Sequence, residues 1–314
     1  MIAASSLLVL ACLAVNVFGA TYSISDSHVG TDFLSAFTHQ AIADPTNGRV
    51  NYVSQSTAVS KNLTFASGDT LILRADDTTT LSASDPGRDS VRLQSKKTYT
   101  EHVTVWNIRH MPQGCGTWPA VWEVGSDWPN DGEIDIVEGV NDQTPNQSTL
   151  HTNAGCSMPS SRTQTGTTAG TNCDTAATDN AGCGVQAPQA QSYGPPFNAV
   201  GGGWYAMERT DSSIKIWYWL RNAANVPADV LNGAATIDTS NWGEPFADFP
   251  DTDCDITEHF GAHSLIINLT FCGDWAGAVF SSDGCPGDCT TYVDQNPSAF
   301  TNAYFDIAWL KIYE

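Results

Sequence analysis

The stretch Asp127-Trp-Pro-Asn-Asp-Gly-Glu-Ile-Asp-Ile-Val-Glu-Gly-Val-Asn141 carries the acids Glu133, Asp135 and Glu138 interleaved with Ile134, Ile136 and Val137. Acids alternating with β-branched residues read as a half-buried strand, because successive side chains of a strand point to opposite faces. Glu133 and Asp135 therefore share one face. Glu138 lies five positions beyond Glu133, so strict alternation puts it on the other face unless a β-bulge near Ile136-Val137 takes up one extra residue. With the bulge, all these acids line up.

An acidic run is ordinarily a solvated face. Here the apolar partners mark the strand as half buried, and Trp128, Pro129 and Gly132 beside it suggest a cleft rather than a plain edge. Carboxylates sharing one face of a cleft suit glycoside hydrolysis. Along a bulged strand the Cα atoms of Glu133 and Glu138 would lie roughly 13 Å apart. Side chains leaning inward on a concave sheet would bring the carboxyls to about 5–6 Å, the retaining rather than the inverting separation. Like charges disfavour joint ionisation, so one acid should stay protonated near neutral pH.

The pattern Gly132-Glu-Ile-Asp-Ile-Val-Glu-Gly139 resembles the active-site signature of glycoside hydrolase family 16, in the longer, bulged form typical of laminarinases and related endo-1,3(4)-β-glucanases. Upstream, Arg109-His-Met-Pro-Gln-Gly-Cys-Gly-Thr-Trp-Pro-Ala-Val-Trp-Glu123 is similar to the strand, turn and strand that lead into that signature. The likeness runs from Gly48-Arg-Val-Asn-Tyr52 to the last strand and is strongest to secreted fungal members. It implies that Glu133 is the nucleophile, Glu138 the general acid/base, and Asp135 the residue that hydrogen-bonds and tunes the nucleophile.

Residues 2–20 are apolar around Leu7-Leu-Val-Leu10, with no charge before Asp26 and small residues at Gly19 and Ala20. Such a short apolar core reads as a cleaved secretory signal over residues 1–19 rather than as a membrane anchor. Residues 20–314 are then expected to form a single catalytic domain of an extracellular protein. Loss of Cys12 leaves Cys115, Cys156, Cys173, Cys183, Cys254, Cys272, Cys285 and Cys289. An even set in an exported chain implies disulfides, of undetermined pairing. Zinc is the rival reading, but Cys285-Pro-Gly-Asp-Cys289 has no second close pair. Sequons at Asn62, Asn146 and Asn268 fit export, although Asn268 falls in an apolar strand pattern.

Thirty-four acidic against 13 basic residues give a net charge of −21. Nucleic acid and anionic membrane surfaces would repel such a chain. An uncharged polysaccharide, here a β-glucan met by a monomer, is compatible. No phosphate loop or dinucleotide fingerprint is visible, and no cofactor is expected. Bacterial members of the family hold a structural calcium with an aspartate of the last strand. Asp306 could match it, but without an acidic ligand loop no metal is expected.

Strand patterns recur at 49–55, 71–74, 90–95, 103–109, 120–123, 133–140, 204–209, 214–218, 264–270 and 306–313, separated by turns rich in Gly, Asn, Asp, Ser and Pro. Helical periodicity is confined to short turns near 32–39 and 297–303. This is an all-β sandwich of two antiparallel sheets, which the resemblance sharpens to a β-jelly roll with a concave sugar-binding cleft. The irregular interval 155–203 reads as a disulfide-pinned surface excursion at the cleft rim, and 241–259 and 273–297 read as further loops.

Aromatic faces stack on sugar rings, yet most tryptophans are ordinary core residues. Trp122, Trp128 and Trp275 occupy loop or strand-end settings that match aromatic sugar-binding positions of the family, with Trp275 on the far side of the cleft. Trp204, Trp217, Trp219 and Trp309 follow strand alternation into core or sheet face. His151 lies on the strand after the catalytic one and should contact sugar or Glu138; Asn51 and Arg92 should reach sugar hydroxyls from strands bordering the cleft. Met207-Glu-Arg-Thr210 departs from the Glu-Trp-Thr of many relatives, so no stacking is assigned there. Two rivals to hydrolysis remain on this reading: a wall-remodelling β-glucan transglycosylase, and a non-catalytic lectin on the same architecture.

Overall fold

The computed structural model describes residues 20–314; the segment read as a secretory signal lies outside them. Two antiparallel sheets face each other, a β-sandwich jelly roll. The cleft-bearing sheet is 8-stranded, in the order Thr167–Thr168, Cys183–Gln186, Gln147–His151, Glu133–Glu138, Thr117–Gly125, His263–Phe271, Arg92–Tyr99 and Phe37–His39. The backing sheet is 9-stranded and runs Thr236–Asp238, Thr21–Val29, Tyr304–Tyr313, His102–His110, Gly203–Arg209, Ser213–Leu220 and Ala247–Pro250, with Thr70–Arg74 and Thr64–Ser67 attached at Tyr304–Tyr313.

Alternation decides which side chains meet between the sheets. Ile134, Ile136 and Val137 join Val121, Leu265 and Ile267 against Trp106, Ile108, Tyr205 and Met207 of the backing sheet, all essentially inaccessible to solvent. Each such apolar side chain contributes about 1.5–3 kcal/mol on burial. The far face of the backing sheet is covered separately, by a cluster holding Trp204, Trp217, Trp219 and Trp242, with Trp309 packed at its margin.

The anticipated bulge is present. Asp135 pairs with Trp122 of the neighbouring strand, and Val137, two residues on, with Val121. A bulge leaves backbone groups outside the ladder, and buried ones need other partners. Asn146 supplies them: its Nδ2 donates to the Ile136 carbonyl at 3.0 Å, and its Oδ1 accepts from the Glu138 N–H at 2.9 Å. Ser148 Oγ donates to the same carbonyl at 2.8 Å.

Some elements differ from expectation. Residues 32–39 form a one-turn helix, Asp32–Ala36, that passes directly into the strand Phe37–His39. The interval 155–203 is more than an excursion. It contributes Thr167–Thr168 and Cys183–Gln186 to the edge of the cleft-bearing sheet, along with helices Thr175–Thr178 and Gly194–Ala199. The cysteines of the described residues pair as Cys115–Cys285, Cys156–Cys254, Cys173–Cys183 and Cys272–Cys289. Cys156–Cys254 ties the long interval to the 241–259 loop, while Cys115–Cys285 and Cys272–Cys289 hold the 273–297 loop on a small apolar cluster around Phe271, Phe280 and Phe300.

Candidate active site

Because the bulge turns Glu138 to the same side as Glu133 and Asp135, all three acids line a cleft of about 620 Å³ on the outer face of the sheet. The strand register sets their neighbours. Glu133 lies opposite His151 on one side and Val124 on the other; Glu138 lies opposite Ala120. His151 Nε2 is 3.3 Å from Asp135 Oδ2, so the histidine meets Asp135, a partner the sequence reading, which gave sugar or Glu138, did not name. Glu138 Oε1 instead accepts a 2.9 Å hydrogen bond from Trp118 Nε1.

Burial, then the charge of Asp135, pushes Glu133 up to about 8, with His151 acting in the opposite direction. Burial pushes Asp135 up to about 8 against a side-chain bond to Glu133. Burial, then Asp135, pushes Glu138 up to about 8, with Trp118 among the opposing groups. Glu133 and Glu138 keep partial exposure on the cleft floor, whereas Asp135 is 2% exposed. The trio holds protons at neutral pH that free carboxyls would have shed.

Aromatic side chains flank the acids. Trp128 is 46% exposed beside Glu133. Trp275, in a π-helical turn Gly273–Gly277, meets Trp118 edge to face at 5.7 Å. Trp122 is fixed at its edge, Nε1 donating to Asn268 Oδ1 at 2.7 Å, and on one face, where the Arg92 guanidinium lies 4.8 Å from the ring centroid. Arg92 also donates to Gln40 Oε1 at 2.8 Å and lines the cleft.

Asn51 does not. Its strand Val50–Tyr52 pairs with Arg88–Ser90 in a separate two-stranded sheet, and Asn51 Nδ2 donates to Asp89 Oδ1 at 2.6 Å. Alternation turns the adjacent Tyr52 inward instead, where its hydroxyl accepts from Asn268 Nδ2 at 3.1 Å. The sequons at Asn146 and Asn268 are likewise structural positions, 0% and 7% exposed, while Asn62 stands exposed in a turn.

Sequence reading missed Trp118, Asn146, Asn268, Gln147, Thr149 and the Asp179–Asn180–Ala181 tip that reaches the cleft from inside the Cys173–Cys183 disulfide. Period-two spacing offered several of them: Trp118 and Ala120 precede Trp122 on one face, and Gln147 and Thr149 precede His151.

The family described as the XgeA-like, catalytic GH16 domain matches residues 37–313. A probable glycosidase of Schizosaccharomyces pombe is 44% identical over 298 residues, 94% of this chain and 70% of that protein. The endo-1,3(4)-β-glucanase XgeA of Emericella nidulans is 42% identical over 306 residues, 94% of this chain and 48% of that protein; the chain thus spans about half the length of this relative. Among solved structures, laminarinase 16A from Phanerochaete chrysosporium, with 6-O-glucosyl-laminaritriose in both donor and acceptor sites, is 66% identical with a TM-score of 0.93, covering 94% of this chain and 100% of that one. An elongating family 16 β-1,3-glucosyltransferase is 43% identical with a TM-score of 0.87, covering 93% of this chain and 100% of that one. With its bulged acidic strand on the floor of a jelly-roll cleft, the chain belongs to glycoside hydrolase family 16.

Proposed function

We propose that the protein is a secreted, retaining endo-β-glucanase that hydrolyses internal 1,3-β-glucosidic bonds of laminarin-type glucans and also cleaves mixed 1,3/1,4-β-glucans. The observation that carries this reading is the bulge, which sets Glu133, Asp135 and Glu138 together on a tryptophan-lined floor. The Asp135 and Glu133 side chains share a hydrogen bond, and in this reading its proton rests on Asp135 when Glu133 reacts as the carboxylate. Glu133 attacks the anomeric carbon as the bond to the departing sugar breaks, and Glu138 passes its proton to the leaving oxygen. Water then gives a proton to Glu138 while its oxygen displaces Glu133 from the glycosyl-enzyme. Trp118 keeps the Glu138 carboxyl aimed; Trp122, Trp128 and Trp275 offer ring faces to the glucan, and Arg92 and His151 border it with polar groups.

The disulfides and the fungal relatives suit an extracellular enzyme. In this reading residues 1–19 are the export signal, residues 20–314 the catalytic domain, and Asn62 the sequon available for a glycan. Two family relations support the substrate: the glucan-bound laminarinase and the glucanase named above. The elongating transferase favours a second reading, glucosyl transfer to another glucan, because it shares this fold at 43% identity. A lectin has no use for a buried acid trio of this kind.

Incubation of the purified protein with laminarin, lichenan and cellulose, with products sized early, separates these readings. A rapid fall in chain length on laminarin with cellulose untouched is the expected result. Products longer than the donor at low acceptor concentration would favour transfer, and bound but uncut laminarin would favour a lectin.

A further inference from the structure

Glu133, Asp135 and His151 each place one ligand-capable atom within 4.8 Å of the others. Two of these side chains are incompletely satisfied. Asp135 is 2% exposed and its Oδ2 forms no hydrogen bond, although His151 Nε2 stands 3.3 Å away; His151 is 7% exposed and its Nδ1 is also without a partner. An unpaired buried carboxylate oxygen costs free energy until a proton or a cation completes it.

The donor set selects the cation. Two carboxylate oxygens and one imidazole nitrogen, with a further position open to the cleft, make the three-ligand pattern of borderline transition ions such as Zn²⁺. Ca²⁺ asks for six or more oxygens and Mg²⁺ for an octahedral set, neither of which the floor provides. Zinc ligands at about 2.1 Å from the ion lie roughly 3.4 Å from one another; Asp135 Oδ2 and His151 Nε2 are already 3.3 Å apart, and Glu133, within 4.8 Å of them, needs to close by at most about 1.4 Å. Glu133, the longest and most exposed of these side chains, can swing that far.

Other candidates lack this combination. His102 and His263 engage both ring nitrogens with Glu123 and backbone carbonyls. The surface acids Asp211, Asp251, Asp253 and Asp255 include no histidine and no buried unpartnered group.

We propose that the catalytic floor binds one Zn²⁺-class ion through Glu133, Asp135 and His151, in competition with the glucan, making the ion a reversible inhibitor and not a cofactor. The inhibitory consequence rests on Glu133 being the nucleophile; the binding itself does not. Zn²⁺ titrated calorimetrically into chelator-treated protein should bind one site per chain. His151→Ala and the near-isosteric Asp135→Asn, each checked for native circular dichroism, should weaken it about tenfold or more. Saturating laminarin oligosaccharide should compete, and Mg²⁺ should give no heat. No Zn²⁺ binding at millimolar concentration, or binding unchanged in both variants or by the oligosaccharide, overturns the proposal. Laminarin hydrolysis measured in parallel separates the two claims. A protein that cuts laminarin without binding Zn²⁺ loses only the ion site, and one that binds Zn²⁺ through these residues but cuts no glucan loses only the enzymatic reading.

Discussion

Glu123 and the three cleft acids occupy hydrogen-bonded neighbouring strands, with Glu123 directly opposite Ile134, yet they are driven in opposite directions. Glu123 points between the sheets, is 0% exposed, and accepts from His102 Nε2 and His263 Nδ1 at 3.1 Å each. Burial works against its ionisation, but His102 foremost and then His263 hold it far below the usual carboxylate range. Across the pleat, Glu133, Asp135 and Glu138 face one another; burial pushes all of them up, and the charge of Asp135 adds to the rise at Glu133 and Glu138. Burial alone does not decide a carboxyl's charge. The sign of what surrounds it does, and one strand pair holds a structural anion on its inner face and proton-retaining acids on its outer one.

Removing the anion should have the largest effect on stability. Glu123→Ala leaves two buried histidines whose other nitrogens face the Thr100 and Asp131 carbonyls, and breaking a buried pair from one side costs about 3–5 kcal/mol. Urea unfolding at pH 7 should show a loss of that size; a loss below about 1 kcal/mol would mean that the histidines do not depend on Glu123. Because Asp131 closes the turn before Glu133, kcat should fall as well.

Next comes the bulge that creates the outer face. Asn146→Ala strips the side-chain partner from the Glu138 N–H and leaves the Ile136 carbonyl with Ser148 Oγ as its side-chain donor, at about 1–3 kcal/mol for the buried group left unsatisfied. With Glu138 no longer held, kcat should drop by a larger factor than KM changes. A variant with wild-type kcat would show that the bulge keeps its shape without Asn146.

Asp135→Asn tests the proton-retaining side. A folded carboxyl raised from 3.8 to about 8 binds a proton that the unfolded chain releases, so stability falls as pH rises from about 4 through 8. Asparagine removes that loss. The variant should be the more stable protein at pH 8, and the less active one. Equal pH slopes for the two proteins in thermal unfolding would contradict the assignment.

The smallest effect is expected at Asn51. Its amide serves Asp89 and not the cleft, so Asn51→Ala should leave KM for laminarin within about twofold of wild type. A tenfold rise would return Asn51 to the sugar-binding set.

The acidic cleft strand was legible because alternation and its single interruption are local, and because Glu133, Asp135 and Glu138 lie within six residues of one strand. The two-sheet architecture followed from the same periodicity in the long strands. What stayed hidden depended on partners distant in sequence. Asn146 looks like a glycan acceptor until the bulge it satisfies is known, and Asn51 is indistinguishable from a cleft residue until its parallel partner Arg88–Ser90 is seen. Thr167–Thr168 and Cys183–Gln186 are too short to show alternation, yet the second of them builds the edge of the sheet beside His151. The pairing of Cys173 with Cys183, which fixes the Asp179–Ala181 tip against the cleft, could not be chosen from spacing.

The central claim, that Glu133 is the nucleophile of a double displacement, is tested most directly by trapping. A 2-deoxy-2-fluoro laminaribiosyl fluoride slows both steps and lets a glycosyl-enzyme accumulate; digestion and peptide mass spectrometry then locate the sugar. The account predicts a single label on Glu133, absent from Glu133→Gln. A label on Asp135 or Glu138, or inactivation-free turnover by inversion at the anomeric carbon, would contradict it.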